Sequence, residues 1–217
     1  MSKRAVMALS GGMDSTSVLL RLLADGCKVS CVSYLYGQKH SIELDRATKN
    51  IAYLQSKGHD VDHEIVDLSS AMNLFESALL EGGSEVPEGH YEEEQMKATV
   101  VPNRNAIFAS ILYGYALSVS IREGTKVSIA LGVHSGDHEI YPDCRPEFYT
   151  ALEHAFMIGN WDSDKVGFTL PYLDGDKTSI LKDALNAADS LGLNFDRIFE
   201  NTITSYNPDS DGRSSGR

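Results

Sequence analysis

At 217 residues and 42% hydrophobic content, the chain can bury the core of one α/β domain, and its composition excludes an unfolded polymer. Lys and Arg total 19 against 31 Asp and Glu; the net charge of −12 argues against sequence-independent binding to nucleic-acid phosphates, though not against a local basic pocket. No apolar run is long enough to span a bilayer, and the basic Met1–Arg4 precedes a run too short for a signal-peptide core, so a cytoplasmic protein with no membrane partner is expected.

Residues 5–9 read as a buried strand, and 18–24 as the helix beyond a Gly-containing turn. Residues 27–36 are β-branched and aromatic, hence a second strand, with Cys27 and Cys31 as small core residues. Cys144 is the only other cysteine, and an odd count without a secretion signal argues for reduced thiols. After a turn at 37–40, Ser41 can cap a helix over about 41–57 with a stripe of Ile42, Ala47, Ile51 and Leu54. Residues 61–68 alternate as a third strand, in which His63 reads as a partly exposed strand residue rather than a ligand. A short helix over 69–80 leads to an acidic, Gly-containing excursion at about 81–99, either a solvated loop or a lid. Pro102 lies near the start of a helix over 106–122. A strand at 126–133, a loop at 132–145, a helix at 146–158, a strand at 166–170 and a helix at 177–191 follow, with a last strand at 199–203. Strands alternating with helices predict a Rossmann-like α/β fold, an open parallel sheet with helices on both faces. It forms a single domain over 1–204 with a tail at 205–217.

The chemistry centres on Leu9, Ser10, Gly11, Gly12, Met13, Asp14, Ser15, Thr16 and Ser17, the candidate phosphate-binding loop. The Gly pair permits a tight turn, and the following helix N-terminus presents N–H groups to an anion. Asp14 would repel phosphate unless a cation lies between them, so Mg²⁺ is implied, with Asp14 as its protein ligand. The Lys of the nucleoside-triphosphatase P-loop is missing. In an open parallel sheet, ligands collect at the carboxyl ends of the strands. Gln38, Lys39 and His40, the loop from His134 to Arg145, and the segment from Pro171 to Lys177 should meet there. In Tyr141-Pro142-Asp143-Cys144-Arg145-Pro146-Glu147-Phe148, Arg145 can grip a carboxylate or phosphate, and acidic groups can accept from the N–H edge of a guanine-type base. Helix initiation explains Pro146 and Glu147 but not Asp143 and Arg145. His134, Asp137, His138 and Glu139 read as solvated or substrate-facing loop residues rather than a metal site.

The order Ser-Gly-Gly-Met-Asp-Ser-Thr at residues 10–16 resembles the PP-loop of the N-type ATP pyrophosphatases. The 141–148 segment resembles the signature of the 7-cyano-7-deazaguanine synthase (QueC) family. So do Gln38-Lys39-His40 with Glu43, the stretch 101–108, and Leu170-Pro171 with Lys177, all in the family's order. The resemblance implies a ligase acting on 7-carboxy-7-deazaguanine, ammonia and ATP. It adenylates the carboxylate, forms the amide, and then dehydrates it to the nitrile on the route to queuosine. By position, Ser10, Gly11, Gly12, Asp14, Ser15 and Thr16 would bind the leaving pyrophosphate and Mg²⁺. Lys39, Arg104 and Lys177 would join Asp14 in catalysis by stabilising negative charge. Gln38, His40, Asp143, Arg145, Glu147 and Phe148 would bind the deazaguanine.

The family's tail ordinarily holds a structural zinc on four cysteines. Here Ser205 and Ser215 stand at the first two positions and the chain stops before the others, so zinc is expected to be absent. Other tRNA-modifying PP-loop enzymes fit less well, given the net charge and the lack of a Cys pair near the site. A ligase that stops at the amide or serves DNA modification, and a non-catalytic nucleotide-binding homologue, stay open. So does a homodimer.

Overall fold

The computed structural model describes residues 3–38, 42–77, 79–80, 100–134 and 141–202. The excursion at 81–99, the tail from 205, and Lys39, His40, Ser41, Asp137, His138 and Glu139 lie outside them.

Five parallel strands form one sheet in the order β3-β2-β1-β4-β5. They are β1 (Lys3–Ala8), β2 (Cys27–Leu35), β3 (Val61–Asp67), β4 (Val127–Ala130) and β5 (Val166–Thr169). The helices are α1 (Met13–Ala24), α2 (Ile42–Ser56), α3 (Ser69–Met72), α4 (Arg104–Glu123), α5 (Pro146–Gly159), α6 (Lys177–Ser190) and α7 (Phe195–Phe199). Both faces of the sheet are covered, as expected. Ala5, Met7, Val29 and Cys31 pack with α1, α2, α6 and α7. Val6, Val32 and Tyr34 face the other way, toward α4 and α5. This alternation follows from the two-residue period of a strand, and it explains why β1 is apolar without interruption from Ala5 to Ala8. Cys31 is fully buried, which pushes its thiol up; Cys27 is half-buried on the same strand. His63 is half-buried on the outer strand, its Nε2 2.8 Å from Ser33 Oγ.

The chain winds outward from β1 to β3, then returns through α4 to place β4 against the other side of β1. The carboxyl ends of β1 and β4 therefore flank the point where the winding reverses, the place where open α/β sheets bind ligands.

Some boundaries differ from expectation. Helix α1 begins at Met13, so Asp14 to Ser17 are helical and the connecting loop is only Leu9 to Gly12. The helix expected over 69–80 ends at Met72 and continues as turns. Helix α4 starts two residues early, behind Asn103 in the left-handed region at φ 59°. The strand expected at 199–203 is absent from its described part. Helix α7 occupies 195–199 instead, and turn bonds continue to Thr202. Asn194 caps that helix by accepting from Arg197 N–H at 2.9 Å, and Phe195 stacks on Phe199 one turn later. A cap and an i,i+4 aromatic pair outweigh the β-propensity of the Phe and Ile residues there.

Candidate active site

The loop between β1 and α1 is held by its own serines and by two glycine contacts. Ser10 N–H donates to Ser15 Oγ at 3.2 Å, and the two serine hydroxyls lie 3.0 Å apart. Thr16 N–H closes the first helical bond on the Gly12 carbonyl at 3.1 Å. Gly11 sits at φ 85°, and a Cβ there would run into the Glu43 carbonyl oxygen of α2. On the opposite side, a Cβ on Gly132 would lie 2.9 Å from Ser15 N. The backbone leaving β4 thus lies against the first turn of α1, a contact only glycine allows. Gly132 carries no motif of its own. The available signal was its position, directly after a buried strand at the switch point.

His134 was expected to be solvated or substrate-facing, and the structure buries it. Its side chain is 3% exposed, with Nε2 3.8 Å from Asp14 Oδ2. The return of β4 beside β1 carries it to the first turn of α1. The partly exposed Asp14 carboxylate therefore has a buried imidazole beside it. A carboxylate and a phosphate charge 4 Å apart repel by about 4 kcal/mol at an effective dielectric of 20. A helix N-terminus returns only about 0.3–1 kcal/mol at an exposed site. The cradle alone does not offset the repulsion, so a cation shared by Asp14 and phosphate oxygens fits this donor set. One carboxylate plus phosphates is a common arrangement for Mg²⁺.

At the end of β2, Tyr34 stacks on Phe108 at 4.0 Å and donates from its hydroxyl to the Phe108 carbonyl. Tyr36 meets Phe108 edge-on. This aromatic group fixes the first turns of α4 above the sheet. Arg104, the first residue of α4, lies 5.9 Å from the Tyr36 ring centre and 3.5 Å from its hydroxyl. Its charge reaches two ways, to the half-buried Glu43 carboxyl of α2 and to the buried Tyr149 hydroxyl of α5. Gln38 is committed elsewhere. Its Oε1 accepts from Tyr36 N–H at 2.8 Å and its amide donates to the Tyr34 carbonyl at 3.2 Å, so it shapes the turn after β2.

Residues Pro142–Cys144 form a single 3₁₀ turn closed by Cys144 N–H donating to the Tyr141 carbonyl at 3.0 Å. Arg145 caps α5 in extended conformation and Pro146 begins the helix. Cys144 is buried beneath the turn, whereas Arg145 and Glu147 are exposed and Asp143 half-exposed. Phe148 packs edge-on against Tyr149 at 5.1 Å, which anchors the turn to the core.

Lys177 opens α6 and is exposed. Asp176 caps that helix by accepting from Ser179 N–H at 2.7 Å. Arg21 of α1 grips both oxygens of Asp183 at 3.0 Å, and Tyr172 donates to the same carboxylate at 2.8 Å. Lys177 precedes Asp183 by six residues, as Ser15 precedes Arg21. Both helices run the same way along their parallel strands. Both residues therefore sit about 9 Å above that ion pair, at 1.5 Å per residue. The structure thus brings Asp14, Arg104, the 141–148 turn and Lys177 to one end of the sheet.

The sequence model of the family described as queuosine biosynthesis protein QueC matches residues 4–217. The chain belongs to this family. Among relatives, the 7-cyano-7-deazaguanine synthase of Marinomonas sp. is 42% identical over 207 residues, covering 95% of this chain and 85% of that protein. The enzyme of the same name from Alteromonas mediterranea is 44% identical, covering 95% and 86%. In fold, a crystal structure of a 4-thiouridine synthetase–RNA complex with bound ATP superposes with a TM-score of 0.54 at 18% identity. That superposition covers 94% of this chain and 43% of the synthetase. NMN synthetase from Francisella tularensis gives 0.50 at 12% identity, with coverage of 94% and 79%. The chain thus shares its fold with enzymes of different names. Among the described residues no helix is long and apolar enough to cross a membrane.

Proposed function

We propose that this QueC-family chain is an ATP-dependent carbon–nitrogen ligase that converts 7-carboxy-7-deazaguanine and ammonia to 7-cyano-7-deazaguanine. The observation that carries this reading is the crevice itself. The loop after β1 ends in a helix N-terminus at the switch point, and Arg104 acts both on Glu43, whose backbone lies against that loop, and on Tyr149, next to the 141–148 turn. Relatives bearing that enzyme's name align over nearly the whole chain. A carboxylate is a poor electrophile with a poor leaving group, and adenylation corrects both faults. Its oxygen attacks the α-phosphorus of ATP, the bond to the β-phosphate breaks, and pyrophosphate leaves. The N–H groups at the start of α1, with the Ser10 and Ser15 hydroxyls, receive that pyrophosphate. Arg104 and Lys177, with Lys39 from the same loop set, offset the charge that develops. Mg²⁺ held by Asp14 would neutralise the phosphates and polarise their oxygens. Catalysis on this reading is placement plus charge stabilisation.

A quenched reaction should contain AMP and pyrophosphate, formed only when 7-carboxy-7-deazaguanine is supplied. ADP and phosphate as the sole products would count against adenylation. The mass of the final product separates nitrile from amide.

The turn 141–148 is assigned to the deazaguanine. Asp143→Ala and Arg145→Ala should each weaken binding of the acid by about tenfold or more, as expected for one lost charge-assisted hydrogen bond, with ATP affinity little changed. Titration calorimetry with each ligand separately checks this. Loss of ATP affinity with acid affinity retained would reassign the turn.

The same reading has the protein working in the cytoplasm on small molecules, without direct nucleic-acid contact and without zinc. Ser205 and Ser215 at family cysteine positions support the last point, since hydroxyls replace thiolates poorly on zinc. Elemental analysis of purified protein should give far less than one zinc per chain. A stoichiometric zinc would show that other side chains hold it.

A further inference from the structure

Glu43 is a carboxyl at this crevice that adenylation does not use. It lies in the first turn of α2, where the chain has just left the carboxyl end of β2. That turn rests on the phosphate loop, because a Cβ on Gly11 would strike the Glu43 carbonyl oxygen. Helical side chains lean toward the helix N-terminus, so the carboxyl is directed to the crevice end of the sheet. Arg104 acts on it from α4, and the same guanidinium acts on Tyr149 behind the 141–148 turn. Glu43 therefore lies beside the loop proposed to receive pyrophosphate and shares Arg104 with Tyr149, next to the turn assigned to the deazaguanine.

We infer that Glu43 is a catalytic residue, the proton acceptor for the nitrogen that attacks the acyl adenylate. This rests on the ligase reading above. Ammonium gives one proton to the Glu43 carboxylate. The ammonia lone pair then forms the C–N bond, and the carbon–oxygen bond to AMP breaks with its electron pair leaving on AMP. The new amide nitrogen releases its surplus proton to solvent. The environment suits the task. Burial pushes the Glu43 carboxyl up to about 7, against the opposing pull of Arg104. A base of that strength is substantially ionised at neutral pH yet strong enough to take a proton there.

Glu43→Gln keeps the shape and removes the base. Two half-reactions are measured on the purified full chain with MgATP: acid-dependent exchange of pyrophosphate into ATP without ammonia, and amide formation with ammonium at pH 7. Exchange should stay within about twofold of wild type while amide formation falls about a hundredfold or more, the usual range for loss of a general base. Hydroxylamine, largely uncharged at this pH, should restore acyl transfer in the variant to within about tenfold of wild type, since the missing base no longer limits it. Equal losses in exchange and amide formation would overturn the proposal in favour of a phosphate-binding or scaffold role. Wild-type amide formation, or no advantage for hydroxylamine over ammonium, would also overturn it. Should Glu43→Gln fold poorly, Glu43→Asp retains a carboxyl. It should keep exchange with reduced amide formation, and loss of exchange in it would sink the idea. Absence of acid-dependent exchange in the wild type would remove the ligase reading, and this role with it, before any variant is made.

Discussion

Replacing Asp14 by Asn should lower turnover at least about a hundredfold while the fold survives, an electrostatic loss of about 2.7–4 kcal/mol. Asn preserves the volume and keeps an oxygen toward His134, whose Nε2 lies 3.8 Å from the carboxylate. What it removes is the charge proposed to recruit the cation. The structural cost is smaller, because an acidic residue in the first turn of α1 contributes only about 0.3–1 kcal/mol through the helix dipole. Two readouts separate the roles. The melting temperature should change little, and the gain in ATP affinity on adding Mg²⁺ should collapse. ATP binding without Mg²⁺ should be unchanged or tighter in the variant, since a like charge beside the phosphates has gone. Wild-type turnover, or an unaltered Mg²⁺ response, would remove Asp14 from the mechanism.

The layered fold was legible because its signals are periodic. Apolar runs such as Ala5–Ala8, alternation in β3, and Gly turns before helices all act over a few residues. The two motifs were legible because each is contiguous in sequence. Legibility ended where function depends on register between distant segments. His134 is buried against Asp14 because β4 returns beside β1, and nothing within residues 132–140 encodes that neighbour. Gly132 lies against the first turn of α1 although 120 residues separate it from Gly12. Gln38 illustrates the converse. Its place in a family motif suggested ligand contact, yet its amide secures the backbone of Tyr34 and Tyr36. The expected strand at the end of the chain failed on a local competition, the Asn194 cap and the Phe195–Phe199 pair against β-propensity.

Gly11→Ala should abolish most activity at a modest cost in stability, and a second glycine provides the control. Gly11 and Gly58 have nearly equal backbone angles, φ 85° and φ 87°. Ala in the left-handed region costs roughly 1–2 kcal/mol at either site. Around Gly58 nothing lies within 4 Å of an added Cβ. At Gly11 the added atom meets backbone of α2, which cannot rotate aside as a side chain would. The phosphate loop, the first turn of α2, or both must shift. A misplacement of about 1 Å in a catalytic array can cost about a hundredfold in rate. The displaced turn also carries Glu43, so adenylation and nitrogen transfer should fall together. Gly58→Ala should lose stability with activity retained, whereas Gly11→Ala should lose acid-dependent pyrophosphate exchange by about a hundredfold or more. Similar activity in the two variants would mean that the contact between loop and α2 is dispensable. The position of Glu43 over the phosphate site would then need another support.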